Sequence, residues 1–263
     1  MRMLAAIALV TVASFSAVST SSQPAHADER APLAPVASTF ALELSGVRFG
    51  PVRALEASEP SSPCRKTLLL ATQDVAPPLA TLLDAFLQRK PLKRDVRLTS
   101  GAVMRKANDA RLVSMKLPAL GSGGSADVEL AFVVPALTTQ PLLSAKEAPP
   151  PPASAHIASF RIDLSGMQAF EAPKLDAITL TQDSDFVVTT GEIAIEVAAG
   201  GAPPFVAWQR AGRTPRSLRI EYVAADGRTL LKLALDRCTP TAVKPLGASG
   251  TTRITLACAP LGG

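Results

Sequence analysis

Aromatic residues are scarce in this chain of 263 residues, 4% of the total with one Trp and one Tyr. So few flat rings cannot build the stacking platforms that grip single-stranded nucleic acid or sugars, and both partner classes recede. Histidine occurs only at His26 and His156, too little for a His-based triad or a His-rich metal site. G-x-S-x-G, C-x-x-C and H-E-x-x-H are absent, which removes the common signatures of hydrolases, dithiol exchange and zinc proteases. Charge of one sign is in mild excess, 27 Lys+Arg against 22 Asp+Glu. Basic residues gather at Arg89, Lys90, Lys93, Arg94 and Arg97 and at Arg210, Arg213, Arg216 and Arg219. A solvated helix end and strand face account for them more simply than phosphate contacts, and no specific nucleic acid is expected.

The one long apolar run lies at the start. Residues 1–27 read as a secretory signal: Arg2 supplies the positive n-region, Leu4 to Val18 the apolar stretch, and Ala25-His26-Ala27 an A-x-A cleavage site. No later run suffices to span a bilayer, and the first cysteine is Cys64, far from any lipobox position. The mature chain is therefore expected to begin near Asp28, to carry no transmembrane segment, and to be periplasmic or extracellular. In such an oxidising setting Cys64, Cys238 and Cys258 are an odd set whose connectivity stays open. On a hairpin of the last two strands Cys238 and Cys258 would sit towards opposite ends, so buried, unreactive thiols are the simplest expectation.

With 47% hydrophobic residues the chain has material for a packed core. Residues 28–38, with Pro32 and Pro35, read as a flexible leader. Pro149 to Pro152 sit in a stretch, 145–156, that excludes helix and central strand and marks a linker. Two domains result, 39–144 and 157–263, and limited proteolysis between Lys146 and Ala155 is expected to release two stable halves.

The halves resemble each other. F-A-L-E-L-S-G at Phe40–Gly46 recurs as F-R-I-D-L-S-G at Phe160–Gly166, 120 positions later. Leu55-Glu56-Ala57 matches Leu175-Asp176-Ala177, and Pro77-Pro78 matches Pro203-Pro204. Phe86 matches Trp208, Arg94, Arg97 and Leu98 match Arg216, Arg219 and Ile220, and V-E-L-A at Val128 matches I-T-L-A at Ile254. Collinear blocks with slowly drifting spacing point to a tandem duplication. Each copy alternates apolar and polar residues over short runs, the signature of half-buried strands. In the second copy these include Ser159–Leu164, Glu192–Val197, Leu218–Val223, Thr229–Asp236 and Thr251–Cys258, with Asp226-Gly227 a hairpin turn. Pro203–Arg210 and Pro77–Arg89 read as one short helix per copy, opened by prolines. The fold class is mainly β: two tandem small β-barrel, or sandwich, domains, each with one short helix.

This order of elements resembles the phage tail-tube family and the related tube proteins of type VI secretion. The match is carried by F-R-I-D-L-S-G, the strand Gly191–Gly200, the helix ending in Trp208, L-R-I-E-Y-V-A-A-D-G-R-T-L-L-K-L at Leu218–Leu233, Pro240 and I-T-L-A at Ile254. It covers Phe160–Leu261 and, more weakly, Phe40–Pro135. The resemblance implies a structural protein whose barrels join through sheet edges into rings, three chains giving six barrels, with a further envelope or tail-like partner. The repeated alternating strands supply the candidate interface: Phe40, Leu42 and Leu44, with Phe160, Ile162 and Leu164.

For chemistry the sequence offers no catalytic, metal-binding or cofactor-binding residues. Gly121-Ser122-Gly123-Gly124-Ser125 lacks the Lys-Ser/Thr of a phosphate cradle and reads as a hairpin loop. His156 has no acidic or Cys neighbours and reads as solvated. The pairs Glu43 with Asp163 and Glu56 with Asp176 are equivalent positions in two copies, which shared ancestry explains without catalysis. The expectation is an exported, non-enzymatic structural protein; a monomeric secreted binding module is the alternative.

Overall fold

The computed structural model describes residues 38–58, 66–121, 127–141, 153–168, 170, 172–247 and 250–260. The signal segment 1–27, leader residues 28–37, Cys64, loop residues 122–126 and the prolines at 149–152 lie outside them.

Period-two burial sets the architecture. In Val128–Val134 every second residue is buried, so one face of the strand must meet other apolar faces. The first half supplies β1 (Ser38–Leu44), β2 (Val47–Ser58), β3 (Lys66–Thr72), the two-residue β4 (Asp74–Val75), helix α1 (Pro77–Leu87), β5 (Lys93–Ser100), β6 (Val103–Leu117), β7 (Val128–Val134) and β8 (Thr138–Pro141). Antiparallel pairing runs β5-β1-β2-β3-β7-β6, and β6 returns to β5. This is a closed six-stranded barrel, the arrangement that removes free edges. Helix α1 begins at its prolines, as expected, and buries Leu79, Leu82, Leu83 and Phe86. It ends at Leu87, two residues before the expected Arg89, because Arg89 takes a left-handed φ of 59° and closes the end through Lys90 N–H to Ala85 O, 3.3 Å.

The second half supplies β9 (Ala155–Leu164), the short β10 (Lys174–Leu175), β11 (Ile178–Gln182), β12 (Val188–Thr190), β13 (Ile193–Ala198), helix α2 (Pro203–Arg210), β14 (Arg216–Ala224), β15 (Thr229–Leu246) and β16 (Thr251–Pro260). The order β10-β13-β16-β15-β14-β9 repeats the barrel strand for strand. Among the described residues β9 and β10 do not pair, so this sheet is a half-barrel.

The two copies agree in register, not only in order. Leu42, Glu43 and Leu44 face Leu98, Arg97 and Val96; Ile162, Asp163 and Leu164 face Ile220, Arg219 and Leu218. These are the residues that the sequence aligns. Each copy also has a register shift at the same place, Arg94/Val96 and Arg216/Leu218, opposite a residue with positive φ, Asp109 and Arg237. Ser-Gly recurs for a physical reason. Ser45 N–H donates to Asp95 O at 2.8 Å and Ser45 Oγ accepts from Asp95 N–H at 3.2 Å. In the second copy Ser165 makes the same two bonds with Ser217, at 2.9 and 3.0 Å.

The halves are not separate bodies. The β11–β12 hairpin leaves the second half and joins the first sheet along β6, Ile178 facing Leu117 and Thr181 facing Ser114. In return β4 leaves the first half and pairs with the start of β9. Leu120 and Leu175 exchange backbone hydrogen bonds of 2.8 and 2.9 Å. Beside them only glycine fits at Gly121, whose φ is +113° and where a Cβ would lie 2.7 Å from Pro173 O. One contiguous core runs through both halves, and all described residues belong to one compact unit.

The cysteine expectation is corrected. Cys238 and Cys258 form a disulfide. The strand expected to stop near Asp236 continues through Pro240 to Leu246, Pro240 being accommodated at a register irregularity. The turn to β16 then comes late enough to bring the two cysteines side by side.

Candidate functional site

The closed and open copies differ at one turn. In β1–β2 both central residues have positive φ, Ser45 at 48° and Gly46 at 84°. This is the type I′ pattern, whose twist keeps two strands paired. In the second copy Gly166 has φ 72° but Ser165 does not share the positive φ, and Met167 N–H closes the turn on Leu164 O at 3.0 Å. That is the type II pattern, which splays the strands it connects. The chain then leaves β9 and packs Phe170 edge-on against Phe205 of α2, ring centroids 5.1 Å apart. It rejoins the sheet only at β10.

The result is an open seam along β9. Ser165 N–H points to β14; by strand alternation the backbone groups of Arg161 and Asp163 point there too, and those of Phe160 and Ile162 point into the seam. In β1 the equivalent groups of Phe40 and Leu42 are used by β2, opposite Val52 and Gly50. Among the described residues β4 covers the seam side of β9 only at Ala155 and His156. From Ile157 to Asp163 no strand of the described residues pairs there, and at Leu164 the Met167 N–H takes the carbonyl. Arg161 and Asp163 are exposed on the outer face, while Phe160 and Ile162 are half-buried over the core.

The six candidate interface residues therefore fall in two unlike settings. Phe40, Leu42 and Leu44 are buried inside the closed barrel, on a strand paired along both sides. Phe160, Ile162 and Leu164 lie on the strand with the open edge.

Glu43 and Asp176 have ion-pair partners. Glu43 binds Arg97 at 3.1 Å. Asp176 binds Arg253 and belongs to a four-membered ion network with Lys174 and Glu196, in which Lys174 Nζ donates to Glu196 Oε1 at 2.9 Å. That bond and the Glu196 charge raise the Lys174 pKa. Glu43 and Asp163 are thus not brought together as an acid pair: they face their own arginines in two different sheets. Arg216 lies over the Trp208 ring at 5.1 Å and donates to Ser165 O at 3.1 Å. Among the described residues no group of three or more His, Cys, Asp and Glu could hold a metal ion.

An apolar groove of about 450 Å³ lies between α1 and the β1–β2 hairpin, lined by Leu44, Val47, Phe49, Pro78 and Leu82 with Arg94. No described helix is long and apolar enough to cross a membrane. The sequence singled out the open strand by its repeat. It contained no signal for the ion network, whose members come from three strands and the residue after β10, nor for the disulfide. Comparison with protein-family models and with curated proteins finds no match.

Proposed function

We propose that this chain is an exported, non-enzymatic structural protein of tail-tube-like design that self-associates through the open edge of its second copy. The observation that supports the reading is the asymmetry between copies: one motif is hydrogen-bonded on both sides in β1 and on one side only in β9. An exposed unpaired edge is a template for another chain. The Cys238–Cys258 disulfide fits an oxidising, periplasmic or extracellular destination, as does the sequence's secretory signal. The tube resemblance adds a form for assembly, rings of three chains, and an envelope or tail-like partner; neither catalysis nor a cofactor enters.

Light scattering on the chromatographed protein, with negative-stain microscopy of the peak, tests this. A closed oligomer or a six-lobed ring is the expected result. A monomer at every concentration overturns it. In that case the apolar groove beside α1 favours the second reading, a monomeric binding module for a small apolar ligand carrying an anionic group to meet Arg94.

A further inference from the structure

The groove beside α1, on which the second reading above rests, is here given a ligand class: we infer that it binds a small aromatic carboxylate, with the acid group on Arg94 and the ring against the apolar wall. The duplication carries the assignment. Arg94 and Arg216 are equivalent, each at the register shift of its strand, and only Arg216 has both its stacking face and its donor edge filled. Its guanidinium lies over the Trp208 ring at 5.1 Å and its Nη1 donates to Ser165 O at 3.1 Å. A flat ring and an oxygen acceptor are the two partners a planar guanidinium takes. The ring is itself held in place, because Trp208 Nε1–H donates to Thr214 O at 2.7 Å.

Arg94 has neither partner. Among the described residues its one hydrogen bond runs from Nη1 to the carbonyl of its own neighbour, Lys93 O, at 3.1 Å. Both differences have a structural cause. Phe86, which the sequence aligns with Trp208, is fully buried in the core, and the face of α1 that shares the groove with Arg94 carries Leu82 and Ala85. Ser45, the equivalent of Ser165, takes a φ of 48°, so the turn that offers Arg216 a carbonyl is built differently beside Arg94. The space that remains suits a ligand. The groove holds about 450 Å³, against roughly 150 Å³ for a cavity that takes up benzene, so a ring and a short acid chain both fit. Its walls are apolar, and Arg94 is the only charged residue among those that line it. A lone cation in an apolar wall favours an anion with an apolar body over a neutral ring or an anion without one. Such a ligand brings to Arg94 the ring and the oxygen that Arg216 finds within the chain.

The test uses the full chain and three probes: 3-phenylpropionate, the neutral 3-phenylpropanol and the ring-free hexanoate. Each is titrated by calorimetry and by amide NMR shifts. 3-Phenylpropionate is expected to bind once per chain and to shift the amides of Thr81, Ala85 and Arg94, with each control at least about tenfold weaker. Arg94→Gln is expected to weaken the acid by a similar factor and to bring it level with the alcohol. A second variant keeps the test decisive if Arg94→Gln fails to fold. Thr81 is exposed and borders the groove, so Thr81→Trp sets a ring into the groove from the outer side of α1 and blocks the acid without touching the core. If either control binds as tightly as the acid, or a folded variant of either kind binds the acid like the wild type, the aromatic carboxylate is overturned. Equal binding of all three probes with shifts at the groove leaves the apolar-ligand reading standing. No binding of any probe at millimolar concentration overturns both.

Discussion

Tyr222 is the only tyrosine in the chain and is completely buried on β14 between Phe160 and Leu231. Its hydroxyl has no hydrogen-bond partner among the described residues. Burial therefore pushes its pKa well above the ordinary tyrosine value. A group whose folded pKa is raised contributes stability below its unfolded pKa and loses it as pH climbs from there. Above roughly pH 10 the unfolded chain releases the proton first, and stability falls by up to about 1.4 kcal/mol per pH unit. Tyr222→Phe removes an unsatisfied buried hydroxyl, so it stabilises the fold by about 1 kcal/mol at neutral pH and flattens the alkaline loss relative to wild type. Urea unfolding at pH 7 and pH 11 checks both parts; a destabilised Y222F at pH 7 contradicts the structure. At the same scale, Ser45 and Ser165 explain why L-S-G recurs, since each caps a neighbouring strand through two hydrogen bonds.

At the scale of elements, β15 decides most. Its 18 residues pair first with β14 and then with β16, and the Cys238–Cys258 disulfide ties its middle to β16 across 20 residues of chain. Closing a loop of that length stabilises by about 3 kcal/mol in the chain-entropy view. The double substitution Cys238→Ala and Cys258→Ala is accordingly expected to lower stability by about that amount, and reducing agent is expected to lower the melting temperature of the wild type but not of this variant. Melting curves with and without reductant decide it. The helices play simpler parts: each starts at a Pro-Pro pair and buries its apolar side in the shared core, Phe86 in one copy and Phe205 with Trp208 in the other.

At the scale of the whole molecule, the exchange of β4 for the β11–β12 hairpin makes the halves interdependent. β11 covers the part of β6 that β5 does not reach, and β4 covers the start of β9. Separating the halves would expose these backbone groups and open the shared core. A protease site engineered between residues 142 and 152 should therefore give two fragments that stay together on a sizing column in native buffer and part only in denaturant. This replaces the two independent halves expected from the proline run alone. Elution of two folded halves after cutting would contradict the strand exchange.

Local pattern was enough to place the longer strands, though not the end of β15, together with both helix starts, the Asp226-Gly227 turn and the duplication. Alternation, proline and glycine act within a few residues, and the repeated blocks preserved their cross-strand partners down to Glu43–Arg97 and Asp163–Arg219. The candidate edge was legible in the same way as a repeated strand. Its unequal fate was not, because Phe40–Gly46 and Phe160–Gly166 end in the same Leu-Ser-Gly and differ only in whether the serine takes positive φ and where the chain goes afterwards. The disulfide, the four-membered ion network and the strand exchange join residues that no local period relates; they exist because distant strands come into register. Which copy closes, and which is left with an edge to offer, was decided by tertiary structure alone: β2 finds β1 after a turn that matches the strands' twist, and the segment after β9 is drawn away to pack on Phe205.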